Sequence, residues 1–299
     1  MHTGFYAVEL FSHFQFQALF VGIIFLLVAA SIPVKNKTII LALTATAIGI
    51  NFFNIGDYVF PYTKKSALRS QHSVLQANVF KFNFKTDPLL DLIKKEDPDI
   101  ISLSEVTSHW EKALEPIKDN YPHHIIVPEE GSHGMALYSK LPFKSSRVEQ
   151  ISDLDMPSFI IEFKNFVFIS IHPLPPVYQS FYENRNQHFE WLENYINDDI
   201  DTNMPIIVSG DMNTTMFAPR FKTFVKKAGL KNARIGRGIQ NSWYAFDLGF
   251  LGIPIDHFLH NARILIQSSR IMPDIQSDHL PILTRFAIKE RKEDKTNER

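Results

Sequence analysis

Asp211 and Asn213 stand two residues apart at the end of Met204-Pro-Ile-Ile-Val-Ser-Gly-Asp-Met-Asn213. Ile206, Ile207 and Val208 form a β-branched run, the pattern of a strand covered on both faces. Gly210 then permits a turn or a close backbone approach. On an extended chain the carboxylate and the amide point to one side, which suits holding a hydrated cation, a phosphate or an attacking water. Asp and Asn are also ordinary turn residues, and the pair alone reads equally well that way.

The chain repeats the device. Apolar runs end in Asn78 after Val74-Leu-Gln-Ala, in Glu105 after Ile100-Ile-Ser-Leu-Ser, and in His172 after Val167-Phe-Ile-Ser-Ile. In open α/β sheets ligands lie outside the carboxyl ends of the strands, so these side chains are expected to share one crevice. Asp256, in Ile255-Asp256-His257, and Asp278 and His279, after Ser277, close the set.

In this order the residues resemble the endonuclease/exonuclease/phosphatase superfamily of metal-dependent phosphoesterases. The matching motifs are Asn78-Val79, Pro98-Asp99-Ile-Ile-x-Leu-x-Glu105, His172, Gly210-Asp211-x-Asn213, Ile255-Asp256-His257 and Ser277-Asp278-His279. The resemblance implies an α/β fold of two packed β-sheets flanked by helices, a four-layer α/β/β/α sandwich with the site at one end. It implies hydrolysis of a phosphodiester or phosphoanhydride bond with Mg²⁺ or Mn²⁺. Such hydrolysis needs the non-bridging oxygens neutralised, a water deprotonated and the leaving oxygen stabilised. Mg²⁺ prefers oxygen ligands and keeps several waters, so one or two carboxylates hold it. Glu105 is the first-choice ligand, with Asn78 beside it and Asp278 as a further or alternative ligand. Asp256 is expected to accept from one ring nitrogen of His279 and fix its tautomer. His172, which resembles the histidine of the deoxyribonuclease branch, would protonate the leaving oxygen or bond a phosphoryl oxygen. Asp211 and Asn213 would orient the nucleophile and the phosphate. Trp243, in Asn241-Ser-Trp243, resembles a superfamily element near the substrate. His257, His123, His124, His133 and His260 match no catalytic motif and read as structural or surface residues, and Arg185 as the anchor of a helix start.

These residues need elements to position them. Pro88 to Lys95, Trp110 to Lys118 and Phe181 to Asn197 read as helices alternating with the strands. Met135 to Ser139 and Phe159 to Phe163 read as further strands. Ahead of this domain, taken as residues 71–288, the chain has no charge from Phe14 to Val34, and only Asp57 from Thr38 to Phe60. Each run reaches the roughly 20 residues that cross a bilayer. Residues 1–62 are therefore expected to be a membrane anchor with transmembrane helices at about 14–34 and 38–60, followed by a linker (63–70). Residues 289–299 read as a charged tail. Lys35 and Lys37 argue for a cytoplasmic loop, whereas Lys64, Lys65 and Arg69 argue the other way. Leu10-Phe-Ser-His-Phe, two spans and then the domain resemble the bacterial membrane-anchored branch of the superfamily. That likeness implies the inner membrane with the domain outside it.

Composition narrows the substrate. The 299 residues carry no cysteine, which excludes disulfides and thiolate metal sites. Residues 71–299 hold 26 Lys+Arg against 30 Asp+Glu, unfavourable for broad nucleic-acid binding. Thr214 to Phe246 is the local exception, with Arg220, Lys222, Lys226, Lys227, Lys231, Arg234 and Arg237 and no acid. It reads as the solvated face of a helix, or as a phosphate-binding patch that includes Arg220. Phe246 to Ile253 is an apolar loop suited to a lipid tail. The expected partners are membrane lipids and a small or lipid-linked phosphoester. A tethered nuclease is the alternative. An inactive scaffold is disfavoured because every motif residue is present.

Overall fold

The apolar runs become strands, and three separate cores show how the strands stack. The computed structural model describes residues 6–61, 70–151, 156–201, 203–244 and 251–289. Helices α1 (Tyr6–Ser12), α2 (Gln15–Ser31) and α3 (Lys37–Val59) come first. Then follow β1 (His72–Asn78), α4 (Asp87–Glu96), β2 (Ile100–Ser104), α5 (Ser108–Ala113), β3 (His123–Val127) and β4 (Met135–Ser139). The middle of the chain forms β5 (Ser145–Ile151), β6 (Met156–Glu162), β7 (Val167–Ile171), α6 (Gln179–Asn194) and β8 (Ile206–Asp211). Last come α7 (Pro219–Lys227), β9 (Lys231–Asn232), β10 (Asp256–His260), β11 (Ile264–Ile271) and β12 (Ile282–Ile288).

The strands build two six-stranded sheets, β11-β12-β1-β2-β4-β3 and β5-β6-β7-β8-β10-β9. In each, the third and fourth strands are a parallel pair, β1 with β2 and β7 with β8, and every other pairing is antiparallel. Parallel neighbours need a crossover connection, which α4 and α6 supply. The two sheets therefore repeat one arrangement, although no sequence repeat announces it. One core lies between them, around Phe159, Phe168, Phe258 and Phe286. A second joins the first sheet to α4 and α5 through Leu89, Leu92 and Trp110. A third covers the second sheet with α6 and α7 through Phe189, Leu192, Phe221 and Phe224. Two mixed sheets flanked by helices are the result, in four layers.

Local departures from the sequence expectations have local causes. The helix expected over 110–118 is α5, capped by Thr107, followed by a separate 3₁₀ turn at Glu115–Ile117 that contains Pro116. β5 carries no apolar alternation because it is an edge strand with mostly exposed residues. The first expected span, 14–34, is the 17-residue α2. It stops where Ile32, extended at φ −110° and ψ 153°, precedes Pro33. α3 starts and ends within one residue of the second expected span and is long and apolar enough to cross a membrane. α2 and α3 pack on each other, yet Ile24, Leu43 and Phe53 stand 62%, 67% and 86% exposed.

Residues 62–69, which include 63–69 of the expected linker, lie outside the described residues, as does 290–299 of the tail, yet the N-terminal helices are joined to the sheet domain by direct contacts. Ile55 belongs to the core under α6 and α7. Gly236 N–H donates to Asp57 O at 2.9 Å, and Gly238 N–H to Tyr58 O at 2.8 Å. The Tyr58 ring meets Phe217 edge-on at 5.9 Å.

Gly210 shows how tightly β7 and β8 are joined. Its φ is +149°, and a Cβ placed there would lie 1.9 Å from the carbonyl oxygen of Ile171. Gly210→Ala is expected to cost about 2–4 kcal/mol in denaturant unfolding, and to lower any activity that depends on the next residue, Asp211. Unchanged unfolding would show that the two strands separate more easily than this packing implies.

Candidate active site

The C-terminal ends of the two parallel pairs meet. Asn78 ends β1, Glu105 follows β2, His172 follows β7 and Asp211 ends β8. Asn78 Nδ2 donates to Glu105 Oε1 at 3.0 Å and to Asp211 Oδ2 at 3.1 Å, tying the first sheet to the second. Its Oδ1 accepts from Phe80 N–H at 2.9 Å. The Asn78 amide nitrogen thus faces two carboxylates that approach it from opposite sheets. Glu105 Oε2 accepts from Lys81 N–H at 3.1 Å. Glu105 and Asn213 both hold positive φ, 60° and 48°, a conformation costly for residues with a Cβ and common where a site fixes its side chains.

Asp211 is the hub. Its Oδ1 accepts from Asn213 N–H at 2.9 Å. Its Oδ2 lies 3.5 Å from His172 Nε2 and 3.6 Å from His279 Nε2, ion-pair distances rather than hydrogen bonds. Burial would lower the His172 pKa, but the adjacent Asp211 carboxylate raises it overall. Asn213 Nδ2 donates to Pro173 O at 2.9 Å and so pins the His172-Pro-Leu-Pro-Pro loop.

Asp256 and His279 form a buried pair. His279 Nδ1 donates to Asp256 Oδ2 at 2.8 Å, which leaves Nε2 directed to the Asp211 side. Burial opposes the imidazolium, but Asp256 and Asp211 raise its pKa to about 10. Burial likewise opposes the Asp256 carboxylate, and the charge of His279 outweighs it, holding Asp256 well below the usual carboxylate range. Gln76 Nε2 donates to the other oxygen, Oδ1, at 2.8 Å, and Ser242 Oγ accepts from Asp256 N–H at 3.1 Å. Gln76 and Ser242 are absent from the sequence expectations. The available signal for Gln76 is a long polar side chain inside an otherwise apolar strand; for Ser242 nothing local distinguishes it.

Asp278 accepts from Trp243 Nε1 at 3.2 Å. Burial, reinforced by Glu105 and Asp211, pushes its carboxyl up. Ser277 Oγ donates to Asn78 O at 2.8 Å and closes the ring of motifs. A cavity of about 410 Å³ opens here, lined by Glu105, His172, Asp211, Asn213, Trp243, Asp278 and His279. His133 lines it too.

Arg220 is not brought into this group. Its guanidinium pairs with Glu193 and donates to Asn186 O at 3.2 Å, spending its charge between α6 and α7. Other basic residues of that stretch are similarly engaged. Arg234 donates to three backbone carbonyls, among them Asp256 O at 2.6 Å, and Arg237 donates to Ala233 O and Ile266 O. His257 is structural as expected, with Nδ1 accepting from Asn232 Nδ2 and Nε2 donating to Thr214 O. Of the apolar loop 246–253, residues 246–250 lie outside the described residues.

Asp211, Asp256 and His279 bring one ligand atom each within 4.8 Å of one another. The hydrogen bond between His279 Nδ1 and Asp256 makes that trio a better proton-holding pair than a cation cage. Glu105 and Asp278 line the same cavity and offer the carboxylate oxygens a hard divalent cation prefers.

A two-sheet sandwich with an Asp–His pair and clustered carboxylates at one end defines a phosphoester hydrolase fold. The sequence pattern of the Endonuclease/Exonuclease/phosphatase family matches residues 75–279, and the chain belongs to that family. Its members are hydrolases acting on phosphoester bonds and are generally dependent on divalent metal. The catalytic domain of human Nocturnin with bound sulfate is 18% identical, with a TM-score of 0.59 over 74% of this chain and 96% of that one. An AP endonuclease from Archaeoglobus fulgidus is 16% identical, with a TM-score of 0.61 over 73% of this chain and 100% of that one. An endonuclease/exonuclease/phosphatase from Beutenbergia cavernae is 16% identical, with a TM-score of 0.60 over 74% and 72%. At these identities the likeness is one of fold. No curated protein matches the chain in sequence.

Removing the charge of Asp256 isolates the pair's role. Asp256→Asn is expected to lower kcat by about 10²–10⁴-fold, and to bring the deprotonation of His279 down from about 10 toward the ordinary imidazole range. Activity that needs the imidazolium would then fall at lower pH than in the native protein. A pH–rate profile with an unmoved alkaline limb would mean that His279 does not carry the proton.

Proposed function

We propose that this protein is a membrane-anchored, Mg²⁺-dependent phosphoesterase that hydrolyses a phosphodiester or phosphoanhydride bond of a lipid-linked or small substrate. The observation that carries this reading is the convergence of Glu105, Asp211, Asp278, His172 and His279 on a single cavity. Glu105, with Asn78 beside it and Asp278 as a further ligand, would hold Mg²⁺, which when bound neutralises phosphoryl oxygens and lowers the pKa of water. His279, its tautomer fixed by Asp256, directs Nε2–H toward a phosphoryl oxygen. His172, with its pKa raised beside Asp211, holds a proton for the leaving oxygen. Asp211, gripped by Asn78 and by Asn213 N–H, orients the attacking water.

Anchoring is supported by α3 and by the exposed apolar surface of α2 and α3, which would be costly to leave in water. Lys35 and Lys37 favour a cytoplasmic loop and Lys64, Lys65 and Arg69 the opposite, so the proposed place of the catalytic domain outside the inner membrane rests on the layout shared with the membrane-anchored branch. The acidic balance of residues 71–299 and the internal pairing of Arg220, Arg234 and Arg237 argue against a nucleic-acid footprint.

The full-length protein should lose hydrolysis of bis(p-nitrophenyl) phosphate in EDTA and recover it with Mg²⁺. Glu105→Gln should raise the Mg²⁺ concentration needed for half-maximal rate by about tenfold or more and lower kcat, since it removes a ligand charge. Activity untouched by EDTA would refute the metal chemistry. Plasmid DNA cleaved faster than phospholipid or lipid pyrophosphate would make the protein a tethered nuclease.

A further inference from the structure

The cavity has a wall that does not come from the two sheets. Leu10, His13 and Phe14, from α1 and the turn before α2, line it opposite Leu174, Pro175 and Val177. Three contacts hold this wall, each reaching a different part of the site. Glu9 pairs with Arg185 of α6, both buried, with Arg185 0% and Glu9 6% exposed. His13 Nδ1 lies 3.1 Å from Thr215 Oγ1 and accepts from Thr215 N–H at 3.3 Å, two residues beyond Asn213. Gln17 Nε2 donates to Gly252 O at 2.8 Å, just ahead of Ile253 in the cavity lining.

His13 fits a fixed role. Burial, helped by the charge of Arg185, lowers its pKa to about 3, so the ring is neutral at working pH. Accepting at Nδ1 puts its proton on Nε2, which has no hydrogen-bond partner among the described residues. The wall thus presents two apolar side chains, Leu10 and Phe14, at the point where the chain turns into the apolar helix α2. The cavity lining joins carboxylates and imidazoles with hydrocarbon side chains. A bare phosphate leaves the apolar lining unfilled, whereas a phosphoester bearing an alkyl or polyprenyl chain covers it along with the polar residues. Phe14 directly precedes α2, whose outer residues are apolar and exposed.

We propose that Leu10 and Phe14 are specificity-determining residues: they form the seat of a hydrocarbon chain attached to the phosphoester. The ion pair and the two hydrogen bonds above hold this seat in register with the loops that carry Asp211 and Asp256. This assignment rests on the phosphoesterase reading and adds to it a chain-bearing substrate class and the residues that select it.

The test compares full-length protein in nanodiscs on two p-nitrophenyl phosphodiesters, one with a methyl group and one with a decyl group. The quantity read is the ratio of kcat/KM for decyl over methyl. The native protein should favour decyl, and Leu10→Ser with Phe14→Ser should lower that ratio about tenfold, the scale of losing one buried apolar side chain. Phe14→Leu, which keeps an apolar surface, should restore most of it. A thermal melt of each variant checks that the fold survives. A ratio within twofold of native in the double variant, including equal loss on both esters, overturns the proposal. Should the native protein hydrolyse neither ester, the phosphoesterase reading fails. The proposal is then decided by the same ratio measured as binding of decyl phosphate against methyl phosphate through Trp243 fluorescence, and no preference for decyl phosphate would overturn it.

Discussion

Two carboxylates buried to 1% exposure, Asp211 and Asp256, set the terms for everything around them. Taking an ionised carboxylate out of water costs several kcal/mol unless charge and hydrogen bonds replace the lost hydration. Asp211 receives Asn78, Asn213 N–H and two histidines, and Asp256 receives Gln76 and His279. These partners come from β1, the loops after β7 and β8, and the segment before β12, so neither sheet satisfies the carboxylates alone. The polar site and the packing of the two sheets are one requirement seen from two sides. Raised imidazole pKa values follow from it, since the cationic rings are what make the buried anions tolerable.

The fold was legible where burial is two-sided. β1, β2, β7 and β8 are covered on both faces and read as apolar runs with a polar residue at the end, which is also how the motifs became visible. Edge strands were not legible: β5 is exposed along most of its length, so no pattern marks it. The shared arrangement of the two sheets left no trace in the sequence either. Strand order depends on pairing, and pairing is met by many apolar sequences. Within the site, the residues with distinctive chemistry were legible, and those acting through them were not. Gln76 is a common polar residue until Asp256 is placed beside it. Arg220 is the opposite case, since a basic side chain close to Asn213 in sequence pairs with Glu193 in space.

The N-terminal segment was read from hydropathy alone, which reports length and apolarity and nothing about what lies against a helix. Glu9, His13 and Gln17 are the polar residues that interrupt or precede that hydropathy, and their partners are 176, 202 and 235 residues away in the chain. No local pattern encodes such distances. The N-terminal helices and the sheet domain consequently share a core, with Ile55 in the same cluster as Phe217 and Phe221.

The place of β1 in its sheet has a consequence for biosynthesis. β1 opens the sheet domain in sequence, yet it lies between β2 and β12, and residues His72 to Gln76 pair with Phe286 to Ile282. While the ribosome is still making the second half of the domain, one edge of β1 has no strand to pair with, and such an edge invites pairing with another chain. Loop closure across more than two hundred residues is also slow to form, because its entropy is lost before its contacts are gained. The last strand is therefore the latch of the first sheet. A nascent chain lacking β12 has a central strand with its hydrogen-bonding groups open on one side, a state for chaperones to shield until synthesis ends.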